Sequence, residues 1–246
     1  MKFTTDGLIV KESFTGESDR IITVLTRDRG LLRSFAPGAR SIKSRNVSST
    51  QLLAYSRLSF AESKGIYRVE SAAAHDVFFG LRSDIEKLAL AQYFCELSSA
   101  FVQEGDTSEE ILRLMLNCIK FLETGAKPAK MLKAIAELRL ISLSGYMPDL
   151  VACSVCGCFG ESVYHFNISE GTVTCTECLD GLSTGIPIPY SVFCAMRHII
   201  YSDFNKLFSF SLDDESLSVL TDVCERYLLE RADKRFASLE FYNSLT

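Results

Sequence analysis

Apolar residues change their period once along this chain. Up to about residue 80 they come in short runs rich in β-branched and aromatic side chains: GLIVKES, RIITVLT, GLLRSFA, LLAYSRLSFAE and GIYRVESA. Within RLSFAESKGIYRVES, Leu58 and Phe60 alternate with polar neighbours, as do Tyr67 and Val69. That two-residue period is the mark of a half-buried strand. The clusters TGESD, RDRG, APGARSIKSRN and ESKG separate the runs as turns, and Ser-Lys-Gly in the last is suited to closing a hairpin. Five short strands in under 80 residues predict a small closed barrel, because closure removes exposed sheet edges.

Beyond His75 the spacing becomes helical. Over residues 77–102 the apolar positions Leu81, Ile85, Leu88, Phe94 and Phe101 recur at that spacing. Thr107 with Glu110 three residues on forms a capping-box pattern, and Ile111, Leu112, Met115, Ile119 and Leu122 line the helix face that follows. Gly125 stops that helix. Pro128 opens the next, which carries Leu132, Ile135, Leu138 and Ile141 and ends at Gly145. IPIPYSVFCAMRHIIY begins another helix after its prolines, and residues 216–231 read as one more. The pattern predicts an α+β, multidomain chain: a β-barrel domain over residues 1–80 and an α-helical domain over 81–246. A cysteine module at 150–182 is inserted in the helical part.

That module holds Cys153-x-x-Cys156 and Cys175-x-x-Cys178, with 18 residues between the pairs. This is the spacing of a four-cysteine zinc site, in which each C-x-x-C turn supplies two corners of a tetrahedron. Gly157 follows Cys156 where such a turn needs unusual φ/ψ, and ESVYHFNISEGTVTC reads as a hairpin that brings the turns together. Cys158 is an extra or packing thiol that could replace Cys156; Cys156 is preferred. His165 reads as a structural side chain. Four sulfur ligands leave no open position, so the expected cofactor is one structural Zn2+, favoured over iron by the lack of other redox features. A thioredoxin-like couple would need a βαβ setting, which the pattern lacks.

Composition sharpens the picture only in part. Apolar residues make up 47% of 246, enough for a core. No long uncharged apolar run suggests a membrane span, and the start resembles no signal peptide, so a reducing cytoplasm is expected. Nine cysteines, an odd number, fit a disulfide framework poorly. The net charge of −5 is unevenly spread: residues 1–80 carry 12 Lys+Arg against 8 Asp+Glu, and residues 81–246 carry 14 against 23. The barrel is thus the cationic part, and LTRDRGLLRSFAPGARSIKSRN concentrates Arg27, Arg29, Arg33, Arg40, Lys43 and Arg45 against one acid, Asp28. Guanidinium and ammonium groups on a loop beside a barrel suit phosphate tracking, which needs no base-specific geometry. Phe35 or Tyr55 could add a stacking platform. Scattered histidines near no nucleophile turn, and no G-x-x-x-x-G-K-[ST] loop, argue against a hydrolase or an ATPase.

Taken together, these features resemble the bacterial RecO family of recombination mediator and DNA-annealing proteins. The resemblance runs over nearly the full length. It rests on GLIVKESFTGESDRIITVLTRDRGLLRSFAPGARSIKSR at the start, the four cysteines, and YLLERADKRFASLEFYNSL near the end. It implies an OB-fold for the barrel and a helical domain carrying the metal module. It implies a non-enzymatic protein that binds single- and double-stranded DNA, anneals complementary strands and helps load a recombinase onto strands coated by single-strand DNA-binding protein. RecR and that coating protein are the implied partners, and a nucleoid-associated cytoplasmic location follows. The implied DNA contacts are Arg33, Arg40, Lys43 and Arg45, with Arg27 and Arg29 beside them. GARSIKSR is less densely basic than many members' loops. The competing readings are a thiol oxidoreductase and a zinc-ribbon docking scaffold that binds no DNA.

Overall fold

The structure is a computed structural model that describes residues 1–41, 44, 46–179 and 185–245. Strands β1 (Lys2–Thr15), β2 (Asp19–Thr26), β3 (Leu31–Ala36), β4 (Tyr55–Ser63) and β5 (Ile66–Asp76) come first. Helices α1 (Ile85–Phe101), α2 (Glu109–Thr124) and α3 (Ala129–Ile141) follow. Then come β6 (Val163–Asn167), β7 (Thr172–Cys175), β8 (Ile186–Pro189), α4 (Tyr190–Tyr201), α5 (Asp214–Ala232) and α6 (Ala237–Asn243).

The first five strands close into a barrel in the order β1-β2-β3-β5-β4, the OB-fold topology. β1 is long because it serves two neighbours. Lys2–Leu8 pairs with β4 and Gly7–Thr15 with β2, with an irregularity between Ile9 and Lys11. Alternation then decides what lies inside. Ile9, Ile22, Val24, Leu32, Leu58, Phe60 and Val69 face inward and form the barrel core. Each such side chain contributes about 1.5–3 kcal/mol of burial.

Compact packing divides the chain into Met1–Lys127 with Phe236–Thr246, and Pro128–Arg235. The barrel therefore carries α1, α2 and the returning α6 within one unit, whereas the sequence pattern alone places a boundary near residue 80. Gly30, in the β2–β3 turn, shows how closely barrel and helices meet there. Its φ is +63°, and a Cβ would lie 1.8 Å from the Gln103 carbonyl oxygen in the α1–α2 connection. The Ser108 hydroxyl reaches across to donate to the Thr26 carbonyl at 2.6 Å. That bond explains a departure from the expected capping box. Helix α2 starts at Glu109 with Ser108 at its N-cap and no side-chain capping bond, because the hydroxyl is used to tie the helix to the barrel. Glu109 and Glu110 still place negative charge on the first turn.

In the second unit β7, β6 and β8 form a three-stranded sheet. IPIP, expected as the lead-in to a helix, is itself strand β8. It sits at the sheet edge, where Pro187 and Pro189 are tolerated and Ile188 turns inward, fully buried. Helices α3 and α5 pack around an ion triad in which Lys133 and Glu137 are buried and Glu225 is partly exposed. Lys133 Nζ lies 2.7 Å from Glu137 Oε1 and 2.7 Å from Glu225 Oε2. Burial opposes the charge on Lys133, but the two carboxylates outweigh it and hold the ammonium above its ordinary pKa. Removing one member of such a group leaves uncompensated charge in the core. Lys133→Ala is therefore expected to cost about 3–5 kcal/mol in urea unfolding. A loss under about 1 kcal/mol would match an exposed pair instead.

Candidate functional site

The cysteine module is built on the β6–β7 hairpin. Cys175 ends β7, and Cys178 follows one tight turn later. The first knuckle docks on this hairpin through Ser154 N–H, which donates to the Val173 carbonyl at 2.8 Å. Gly157 has φ +73°, the conformation its sequence position calls for, and its N–H closes the knuckle onto the Cys153 carbonyl at 2.9 Å. The chain entering the knuckle is held by Arg197 of α4, whose guanidinium donates to the carbonyls of Leu150 and Val151 and stacks over Phe159. Below the sheet, Tyr164 stacks on Phe193 with centroids 4.3 Å apart.

These supports bring the sulfurs of Cys153, Cys156, Cys175 and Cys178 within 4.8 Å of one another, and Cys156 and Cys175 lie 3.7 Å apart. A tetrahedral ion with metal–sulfur bonds of about 2.3 Å spaces its ligands about 3.8 Å apart. The electrostatics point the same way. Burial raises the cost of ionising Cys153, but the backbone N–H groups of Cys156, Cys175 and Val155 overcome it and pull the thiol down to about 6. Cys178 is pushed up to about 12, first by its contacts with Cys156 and Cys175. Four thiolates this close can coexist only around a cation, so the group fits a soft metal ion. Cys158 is not one of the four, but it adjoins them: its carbonyl accepts from Cys153 N–H at 3.0 Å and its thiol contacts those of Cys156 and Cys175. Its thiol is pushed well up, by burial and then by the Cys156 and Cys175 sulfurs. His165 lies mid-strand on β6, paired with Thr174, and is no member of the cluster.

The basic residues singled out by sequence separate along the β2–β3 hairpin. Arg27 and Arg29 lie at its turn and are already engaged. Arg27 is 3.8 Å from both Asp6 and Glu109, and Arg29 lies over the Phe3 ring at 4.1 Å, near Asp28. Arg33 stands exposed in mid-strand on β3. Arg40 lies beyond the far end of β3, and Lys43 and Arg45 lie outside the described residues. Strand register adds two cations that loop density did not reveal. Lys11, Thr23 and Arg33 are directly paired across β1, β2 and β3 and so share the outer face. The neighbouring outer row runs Ser13, Ile21, Phe35 and Arg68 across β1, β2, β3 and β5. Among the described residues no carboxylate lies within ion-pairing distance of Lys11, Arg33, Arg40 or Arg68. The result is an apolar strip, Ile21 and Phe35, flanked by unneutralised cations on the sheet face that OB-folds use for oligonucleotides. Tyr55 instead packs against His75, whose ring bonds Asp6.

Comparison with known proteins agrees along the whole chain. Residues 1–78 match the family model described as recombination protein O, N terminal, and residues 82–240 the one described as recombination protein O, C terminal. A DNA repair protein RecO of Acetivibrio thermocellus is 31% identical over 241 residues, covering 98% of this chain and 96% of that relative. One of Dehalococcoides mccartyi is 30% identical over 242 residues (97% and 95%), and one of Symbiobacterium thermophilum 27% over 249 (99% and 97%).

Loss of one sulfur should release the metal and loosen the hairpin. Cys178→Ser is expected to purify with less than stoichiometric metal and a lowered thermal midpoint, while a substitution at Cys158, outside the set of four, retains both. An unchanged midpoint and full metal content in Cys178→Ser would remove the four-sulfur site.

Proposed function

This chain belongs to the RecO family of DNA repair proteins, and from that premise we propose that it is a non-enzymatic mediator that binds DNA on its barrel, anneals complementary strands and assists recombinase loading. The observation that carries the reading is the outer sheet face on which the row of Lys11 and Arg33 adjoins the row of Ile21, Phe35 and Arg68. Phosphates of one strand would lie along the cations and displace condensed counterions. With that charge neutralised, a second strand meets less repulsion and pairing can begin. Arg40 extends the set beyond the sheet, and Lys43 and Arg45 join it on sequence grounds alone. Arg27 and Arg29 contribute less, since Asp6, Glu109 and Asp28 already offset their charge.

The metal in this reading is zinc. An all-sulfur set of four with no open position is the donor chemistry of a structural Zn2+ site, and the ion would supply folding free energy to a three-stranded sheet too small to hold itself. RecR and the single-strand DNA-binding protein complete the proposal as partners, with a nucleoid-associated, cytoplasmic setting. No described helix is long and apolar enough to cross a membrane.

Salt titration of single-stranded DNA binding tests the interface. Each phosphate contact contributes about −0.7 to the slope of log K against log salt. Arg33→Ala and Lys11→Ala are each expected to weaken binding and flatten the slope by about that amount, whereas Arg27→Ala changes it less. Equal slopes in wild type, Arg33→Ala and Lys11→Ala would refute the sheet-face assignment.

A further inference from the structure

Near the end of β1, Phe14 pairs with Arg20, on the opposite side of the sheet from its neighbour Ser13, and leaves 62% of its surface exposed. The Arg40 guanidinium covers one side of the ring, its carbon 4.4 Å from the centroid. Among the described residues no other aromatic ring packs on Phe14. The backbone that presents this pair is firmly held. Arg40 N–H donates to the Ser18 carbonyl at 2.8 Å, Gly38 N–H to Asp19 Oδ1 at 2.6 Å, and Ala39 between them is fully buried in the barrel core. Nearby, the largely buried Arg20 clamps the following segment through the Val47 carbonyl at 2.9 Å and Thr50 Oγ1 at 3.2 Å. Gly38 and Arg40 are thereby tied to the β1–β2 turn, and a flat aromatic and a flat cation stand on the seam.

We propose that Phe14, backed by Arg40, is a stacking platform for an unpaired nucleobase, and that it makes the barrel prefer single-stranded over duplex DNA. The inference rests on the DNA-binding reading above and adds strand selectivity to it. Phosphate contacts along the sheet accept either form of DNA. A ring face accepts only a base whose own face is free, and in a duplex both faces are occupied by neighbouring base pairs. Charge supports a nucleic-acid occupant: Arg40 has no carboxylate within ion-pairing distance among the described residues, so it can also meet the adjoining phosphate. Phe79 is a natural control. It is 64% exposed and stacked by Arg82, but its neighbour Gly80 donates its N–H to Glu123, and Glu123 and Asp76 share Lys120, so two carboxylates offset the cations there.

The chain has no tryptophan, so Phe14→Trp would place the sole indole at the platform. A single-stranded oligonucleotide is expected to quench its emission, and a duplex of equal length to leave it unchanged, with binding of both followed independently by anisotropy of labelled DNA. Phe14→Ala should weaken single-strand binding about ten-fold without altering the salt slope or duplex binding. Phe14→Tyr should restore binding, Phe14→Leu should not, and Phe79→Ala should behave as wild type. Because the ring is exposed, folding is expected to survive each change, and circular dichroism checks it. An indole unmoved by saturating single-stranded DNA, or a Phe14→Ala loss equal on both forms, overturns the platform while leaving the sheet-face reading intact. Failure of the wild-type chain to bind either form at low salt overturns both.

Discussion

The strict inside–outside alternation of a closed five-stranded barrel is the constraint on which the rest depends. Once β1 pairs with both β2 and β4, each strand must give one face to a common core. Ile22, Val24 and Leu32 take the inner positions, so Thr23 and Arg33 between and beside them must point out. The cationic face is therefore a by-product of core packing, whatever it binds. A one-residue slip of β3 would bury Arg33 and expose Leu32, which couples correct folding to the availability of the interface. Barrel closure also fixes where the strand ends emerge, and that is why Phe14 and Arg40, 26 residues apart in the chain, meet.

The second unit solves a different problem. Its sheet of β7, β6 and β8 is small and has two edges. Helices cover it through Tyr164 on Phe193 and Phe166 on Tyr227, but the knuckles themselves contribute little apolar surface, and Val151, Val155 and Phe159 remain exposed. Coordination of a metal ion by the four sulfurs would replace the missing hydrophobic burial. The donors to Cys153 and the closeness of the other thiols make the apo cluster electrostatically divided, with some thiols favoured as anions and others held protonated. A cation held by the cluster would resolve that conflict, and its uptake would then be coupled to local folding.

How much of this was legible in the sequence depended on the range of the interaction. Strand periodicity exposed the barrel because core alternation is written every second residue. The cysteines were legible because a tetrahedral knuckle demands a short fixed spacing. Ser108 at the head of α2 was not, since its partner is the Thr26 carbonyl, 82 residues away. The sequence pattern ends α5 one residue early, at 231, but the left-handed turn that makes that end, at Asp233 with φ 46°, has no glycine to announce it. IPIP looked like a helix lead-in because proline usually signals one; only the β6 register shows it as an edge strand.

The cationic residues carry the sharper lesson. Density along the chain directed attention to the stretch from Arg27 to Arg45, yet charge available to a ligand differs from charge present in a sequence. Asp6 and Glu109, distant in the chain, neutralise part of Arg27, and Phe3 engages Arg29. Lys11 and Arg68 are isolated in sequence but unopposed in space, and register carries them to the same face as Arg33. An exposed guanidinium in water interacts weakly with any one acid. Its value to a polyanion lies in being one of several that act along a single path, and the barrel's pleat, not the loop's composition, draws that path.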